Sequence, residues 1–201
     1  MPLEIEAKFE ITDIAVYEML CKLRSLGGDT LHASRKKQTD IYLDTEDRAI
    51  KKSGASYRIR DGKEVTLKRN SKKESGRFER EEIVYAISSD LIGALKTYDL
   101  DAPVVKAAQE ITKGSPLSEV LTVENNRTTL TIDGVEIAVD NVTYKSGERT
   151  AHSYELEIES KGASSETIEK ISALLKQMFG DFLVPSEESK YERGLKLLRE
   201  K

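Results

Sequence analysis

The stretch Leu3-Glu4-Ile5-Glu6-Ala7-Lys8-Phe9-Glu10 decides the fold. Leu3, Ile5, Ala7 and Phe9 alternate with Glu4, Glu6, Lys8 and Glu10, which is the period of a β-strand rather than a helix. Successive side chains of a strand point to opposite faces, so Glu4, Glu6 and Lys8 share one face. The same pattern recurs downstream. Asp40, Tyr42 and Asp44 share a face in residues 38–44, and Ile41 and Leu43 share the other. Arg58 and Arg60 point together opposite Ile59, and Thr66 and Lys68 point together opposite Val65 and Leu67. Arg77, Glu79 and Glu81 align, with Arg80 and Glu82 on the reverse side as exterior charges. Glu155, Glu157 and Glu159 align opposite Leu156 and Ile158.

Turn and cap residues set out the rest. Asp61-Gly62 and Asp133-Gly134 are hairpin signals between alternating segments. They predict strands at 56–60, 63–69, 127–132 and 135–143, joined by others at 77–86, 118–124 and 153–160. Residues 70–76 read as a mobile loop. A helix follows Thr12 or Asp13 and stops at Gly27-Gly28, and the segment from Ser88 to about Lys113 is helical with a break at Asp101-Ala102-Pro103. Another helix is capped by Ser164 or Ser165, Pro185 opens a loop, and 187–199 reads as a last helix. About eight strands suffice to close a barrel with a usable interior. The expected class is therefore α+β: one domain over residues 1–201, an eight-stranded antiparallel closed β-barrel with flanking helices.

Composition narrows the function. Charged residues are 34% of the chain and hydrophobic ones 38%, so the surface need not hold every charge. A net charge of −4 lacks the basic surplus of a nucleic-acid-coated protein. No apolar run is long enough to span a membrane, and Met1-Pro2-Leu3-Glu4 lacks a signal-peptide pattern, so a cytoplasmic protein is expected. Cys21 is the only cysteine, and His32 and His152 have no partner spacing.

One charged strand face is most simply a solvated face of an antiparallel sheet. Read together, the strands suggest more. Three in-line glutamates repel one another and favour a cation, while Arg58 and Arg60, with Lys68 and Arg127, are donors suited to phosphate. If helices cover the apolar faces, the charged ones point inward, where acids and bases must compensate each other or hold a ligand. Mg²⁺ characteristically bridges a few carboxylates to substrate phosphates.

These residues resemble the CYTH superfamily, the triphosphate tunnel metalloenzymes. Glu4-Ile5-Glu6-Ala7-Lys8 matches its Glu-x-Glu-x-Lys signature. The resemblance continues in order through Gln38–Thr45, Tyr57-Arg58-Ile59-Arg60, Thr66-Leu67-Lys68 and Arg77-Phe78-Glu79-Arg80-Glu81. It then runs through Arg127, Asp140, Tyr154-Glu155-Leu156-Glu157 and Ser189-Lys190-Tyr191. It implies a tunnel that binds a triphosphate lengthwise and hydrolyses it with one or two Mg²⁺ or Mn²⁺ ions. By position, Glu4, Glu6, Asp140 and either Glu155/Glu157 or Glu157/Glu159 would hold metal. Lys8, Arg58, Arg60, Lys68, Arg77, Arg127 and Lys190 would hold phosphate oxygens. Glu79, Glu81, Asp140 and Lys8 would act in catalysis near the second metal or the attacking water. Glu124 and Asn125 stand where the family is often basic.

Inorganic triphosphate is the expected substrate, because no base-stacking motif is visible. The alternatives are thiamine triphosphatase, class IV adenylate cyclase and a non-catalytic polyphosphate-binding module. Cyclases of this family carry a short His-Phe segment before the signature, whereas here Glu4 follows only three residues. The partner is thus a triphosphate-bearing small molecule, with no nucleic acid or membrane, bound by a monomer or homodimer.

Overall fold

The computed structural model describes residues 6–74 and 77–199, with side chains described at all of these except 70–74 and 77–80. Strand β1 (Glu6–Ile11) leads to helix α1 (Ile14–Lys22). Asp13 caps α1, its carboxylate accepting from the Ala15 and Val16 amides. A small hairpin of β2 (Ser25–Leu26) and β3 (Asp29–Thr30) follows, so Gly27-Gly28 make its turn and do not end the helix. Next come β4 (His32–Asp44), α2 (Ala49–Lys52), β5 (Ala55–Arg60), β6 (Glu64–Glu74) and β7 (Arg77–Ala86). Helices α3 (Ile92–Thr97) and α4 (Pro103–Thr112) precede the long strands β8 (Ser118–Ile132), β9 (Val135–Ser146) and β10 (Arg149–Ser160). Helix α5 (Ser165–Phe179), β11 (Leu183–Pro185) and α6 (Lys190–Leu197) complete the chain.

Among the described residues nine strands form one antiparallel sheet in the order β11-β1-β10-β9-β8-β4-β5-β6-β7. This corrects the expected closed, eight-stranded barrel. Among the described residues β7 and β11 are the two ends of the sheet and do not pair with each other. The expected loop at 70–76 is also corrected. Residues 70–74 continue β6 and pair with β7 across a register shift between Asn70 and Lys72. The segments expected at 118–124 and 127–132 are one strand, and Pro185 ends a short strand on the sheet edge. Asp61-Gly62 and Asp133-Gly134 do turn their hairpins, with φ of 51° and 65°, and 46° and 72°. Both residues of each pair thus occupy the left-handed region that such tight turns require.

Each face of the sheet has its own partner. Helices α1 and α5 cover one apolar part of the outer face, packing Val16, Leu20, Ile171 and Leu175 against Phe9, Ile137, Leu156 and Ile158. Around α4, Val104, Val105 and Ala108 pack with Ile59, Val65 and Leu67 in a second cluster. With the apolar faces covered from outside, the charged faces turn inward. At one end the inner face is apolar, and α6 plugs it. There Tyr191, Leu195 and Leu198 meet Tyr42, Leu121, Val123 and Tyr144.

Candidate functional site

A cavity of about 240 Å³ lies on the inner face, lined by side chains from β1, β4 to β10 and the start of α6. Strands far apart in the sheet order, such as β1 and β7, reach the same cavity, so the open sheet curls around it. Its lining is polar: eight lysines and arginines stand against five glutamates among the described residues.

On one wall, Asp40 lies under two arginines. It accepts from Arg60 Nε at 2.7 Å and Arg60 Nη2 at 2.8 Å, and from Arg58 Nη1 at 3.3 Å. This is the bidentate geometry that fixes a guanidinium most firmly. Burial opposes ionisation of Asp40, but the Arg60 hydrogen bonds and the nearby positive charges outweigh it and hold its carboxyl below the usual range. Arg58 Nε is buried and makes no hydrogen bond, so this guanidinium keeps a donor in reserve. Lys68 approaches Glu82 at 3.5 Å.

The other wall is built around Asp140, whose side chain is 0% exposed. Arg127 donates to it at 2.8 Å and 2.6 Å and also reaches Glu157 at 2.6 Å. Lys190 Nζ stands 2.9 Å from Asp140, 3.1 Å from Glu155 and 2.8 Å from Glu157. Burial would drive Asp140 and Glu157 neutral, but the charges of Lys190 and Arg127, with Lys8 beside Glu157, win and keep both carboxyls low. The same carboxylates overcome burial at Lys190 and hold its ammonium well above the ordinary lysine value. Lys8 lies between Glu6 at 3.3 Å and Glu157 at 3.4 Å.

Local sequence places Lys190. Ser189 and Glu192 form a capping box: Ser189 Oγ accepts from the Glu192 amide at 3.2 Å, and Glu192 accepts from the Ser189 amide at 2.9 Å. Tyr191 then stacks on Tyr42, with centroids 5.0 Å apart and planes 6° apart, and donates to Asp44 at 2.7 Å. Asp44 also accepts from the Ile50 and Lys51 amides at the start of α2.

The cavity brings together Lys8, Arg58, Arg60, Lys68, Arg127 and Lys190 with Glu6, Glu157 and Glu159. Asp140 and Glu155 do not line it; they hold Lys190 from behind. Glu155 also accepts from the Tyr144 hydroxyl and from Ser153. Glu4 and the side chains of Arg77 and Glu79 lie outside the described residues.

Two placements on β7 need correction. Glu81 faces away from the cavity and pairs with Arg69, whose hydrogen bond keeps the carboxyl low. Glu82, expected outside, lines the cavity opposite Lys68. The side facing inward is set by pairing with β6, and reading 70–76 as a loop left that register unset. Glu136, two strand periods from Asp140 and thus on the same face, lines the cavity too, as do Ser56, Lys161 and Lys36. Alternation along β9 would have revealed Glu136, whereas Lys36 precedes the segment expected as strand.

As donors for a metal, Glu6, Glu157 and Glu159 offer hard carboxylate oxygens at one place, with Glu6 and Glu159 directly opposed across β1 and β10. That set suits a hard divalent cation. Among the described residues no three acidic, His or Cys side chains already converge on one point. Lysines stand between the acids instead: Lys8 between Glu6 and Glu157, and Lys190 among Asp140, Glu155 and Glu157.

Comparison with known proteins agrees with this architecture. A family model described as CYTH domain matches residues 2–194. The Hippeastrum protein HpAC1, whose description joins adenylyl cyclase with a dominant triphosphatase activity, superposes with a TM-score of 0.75 at 18% identity, covering 96% of this chain and 95% of that one. A Bacillus halodurans protein described under adenylate cyclase gives 0.70 at 23% identity, covering 94% and 96%. A Pyrococcus horikoshii protein gives 0.56 at 17% identity, covering 97% and 99%. No curated protein matches. No helix among the described residues is long and apolar enough to cross a membrane.

Proposed function

The chain belongs to the CYTH domain family, and from that premise we propose that it hydrolyses inorganic triphosphate in the inner cavity, aided by Mg²⁺ or Mn²⁺. The observation that carries this reading is the excess of cationic side chains over carboxylates in the cavity lining among the described residues. Asp40, Asp140 and Glu155 back the cations from behind, orienting them without blocking the cavity. Such a lining fits a short, highly charged phosphate chain.

In this mechanism Arg58, Arg60 and Lys68 take phosphate oxygens on one wall, and Arg127, Lys190 and Lys8 take them on the other. Water attacks the terminal phosphorus, the bond from that phosphorus to its bridging oxygen breaks, and phosphate and pyrophosphate leave. The fixed cations neutralise charge developing on the equatorial and leaving oxygens. Lys190 stays protonated throughout because its carboxylate partners hold its proton. Glu6, Glu157 and Glu159 would hold the divalent cation, which polarises phosphoryl oxygens and acidifies water when bound. Asp140 is saturated by Arg127 and Lys190, so it positions them and does not take the water's proton. Cavity-lining Glu82 is better placed for that contact than Glu81.

A nucleotide substrate has less support. Tyr42 is the aromatic residue of the described lining, and its ring already stacks on Tyr191. Among the described residues no second aromatic ring lines the cavity to sandwich a base against it.

Release of phosphate and pyrophosphate from inorganic triphosphate, thiamine triphosphate and ATP tests the proposal, with Mg²⁺, Mn²⁺ or chelator. Metal-dependent turnover fastest on inorganic triphosphate is expected, and its loss in a Glu6→Gln, Glu157→Gln double variant. Cyclic AMP with pyrophosphate from ATP would make the chain a cyclase. Binding of all three without turnover would make it a binding module.

A further inference from the structure

Each cation lining the cavity has a carboxylate within ion-pair reach, with one exception among the described residues. Lys8, Arg58, Arg60, Lys68, Arg127, Lys161 and Lys190 are all paired. Lys36 lines the cavity with no ion pair. It lies directly opposite Arg127 in the β4–β8 register, so the two positive side chains share the inner face. Like charges directly opposed across strands destabilise a sheet. Arg127 has drawn in Asp140, Glu157 and, at 4.0 Å, Glu136, and none of these carboxylates makes an ion pair with Lys36.

The position of Lys36 adds a second argument. Along β4, Gln38 and Asp40 are buried while residues 32 to 37 are exposed, so Lys36 marks the rim where the strand leaves the cavity for solvent. The other end of the inner face is filled by α6, with Tyr191 and Leu195 packed against Tyr144 and Leu121. An organic group on one end of a phosphate chain therefore has to emerge away from the plug.

We propose that Lys36 is a specificity-determining residue at the cavity rim, taking the free end phosphate of an inorganic oligophosphate and so selecting it over phosphate esters. The inference rests on the triphosphatase reading and sharpens it. The end phosphate of an inorganic chain presents an additional free oxygen and more negative charge than the same phosphate bonded to a nucleoside or thiamine. An ammonium at the rim contacts that oxygen in the inorganic chain and loses the contact in the ester. Solvent at the rim screens the interaction, so the effect is moderate.

The test compares kcat/KM for inorganic triphosphate with kcat/KM for ATP. In Lys36→Gln the ratio should fall about fivefold, mostly through KM for inorganic triphosphate. Lys36→Arg should restore it. Lys37→Gln removes the same charge from the opposite face of β4 and should leave the ratio as in the parent protein. A Lys36→Gln ratio equal to the parent's, or matched by Lys37→Gln, overturns the role of Lys36 while the triphosphatase reading stands. A parent protein that turns over neither substrate with Mg²⁺ or Mn²⁺ overturns that reading and this inference with it.

Discussion

Asp140 has no solvent contact and pairs with two cations, Arg127 and Lys190, so its charge matters more than its volume. Asp140→Asn keeps the shape and removes the charge, leaving Arg127 and Lys190 buried with less compensation. Breaking a buried pair from one side costs about 3 kcal/mol, and denaturant unfolding at neutral pH should show a loss of that order. The pH dependence has a definite sign. Asp40, Asp140 and Glu157 have folded-state carboxyls held below their unfolded values, so the native state resists protonation. Their stabilisation is present above the unfolded carboxylate pKa of about 4, and is lost as pH falls through the lowered folded values. Thermal unfolding followed from pH 7 into acid should show this loss, with a shallower decline in Asp140→Asn; equal slopes would deny Asp140 its part. At this scale the sequence was legible wherever a strand could be phased by itself. Arg58 and Arg60, Lys8 with Glu6, and Glu157 all follow from alternation within one segment. Glu82 does not, because its side depends on which β6 residue it meets.

Helix α6 connects the apolar plug to the charged cavity, and its placement depends on close approach as well as capping. At Gly194 an added Cβ would lie 2.6 Å from Tyr144 Cδ1 and 2.7 Å from Leu121 Cδ2. Gly194→Ala therefore forces α6 off the sheet, costing about 1–3 kcal/mol. Because Lys190 sits one turn earlier on the same helix, KM for triphosphate should rise along with the loss in stability. Ser189→Ala removes the cap without a clash, at about 1 kcal/mol. Faster amide exchange confined to the start of α6 would identify it; uniform exchange changes would not fit a local cap. The capping box could be recognised from Ser189 and Glu192, and the Asp-Gly turns from their dipeptides, because both are local. The continuation of β6 past Asn70 was hidden for the opposite reason. Asn-Ser-Lys-Lys-Glu is poor strand sequence, and only pairing with β7 makes it one. The short β11 likewise exists through its pairing with β1.

The described residues form a curled, open sheet whose inner charges, Lys36 apart, already pair with one another. Closure of the barrel could not be read from strand count, because it depends on whether β7 and β11 pair, and neither carries a signal that it must. The more consequential property is mutual neutralisation. A divalent cation at Glu6 and Glu157 has to displace Lys8, and a phosphate chain at Arg127 and Lys190 has to compete with Glu157. Either ligand alone strands the charges it displaces in a partly buried place, which is costly. Together they would exchange partners, the metal taking the carboxylates and the phosphates taking the cations. Binding of the two should therefore be cooperative, and by linkage each must tighten the other by the same factor. Thermal unfolding with Ca²⁺ alone, a non-hydrolysable triphosphate analogue alone, and both together measures this. A ligand at about one hundred times its Kd adds about 2.7 kcal/mol, or a rise of about 5–10 °C for a chain of this size. The joint shift should exceed the sum of the separate ones, and Glu157→Gln should reduce that excess by removing the acid that the two ligands exchange. Strictly additive shifts would mean that metal and phosphate occupy independent places, and the carboxylates would then serve only to hold the cations in position.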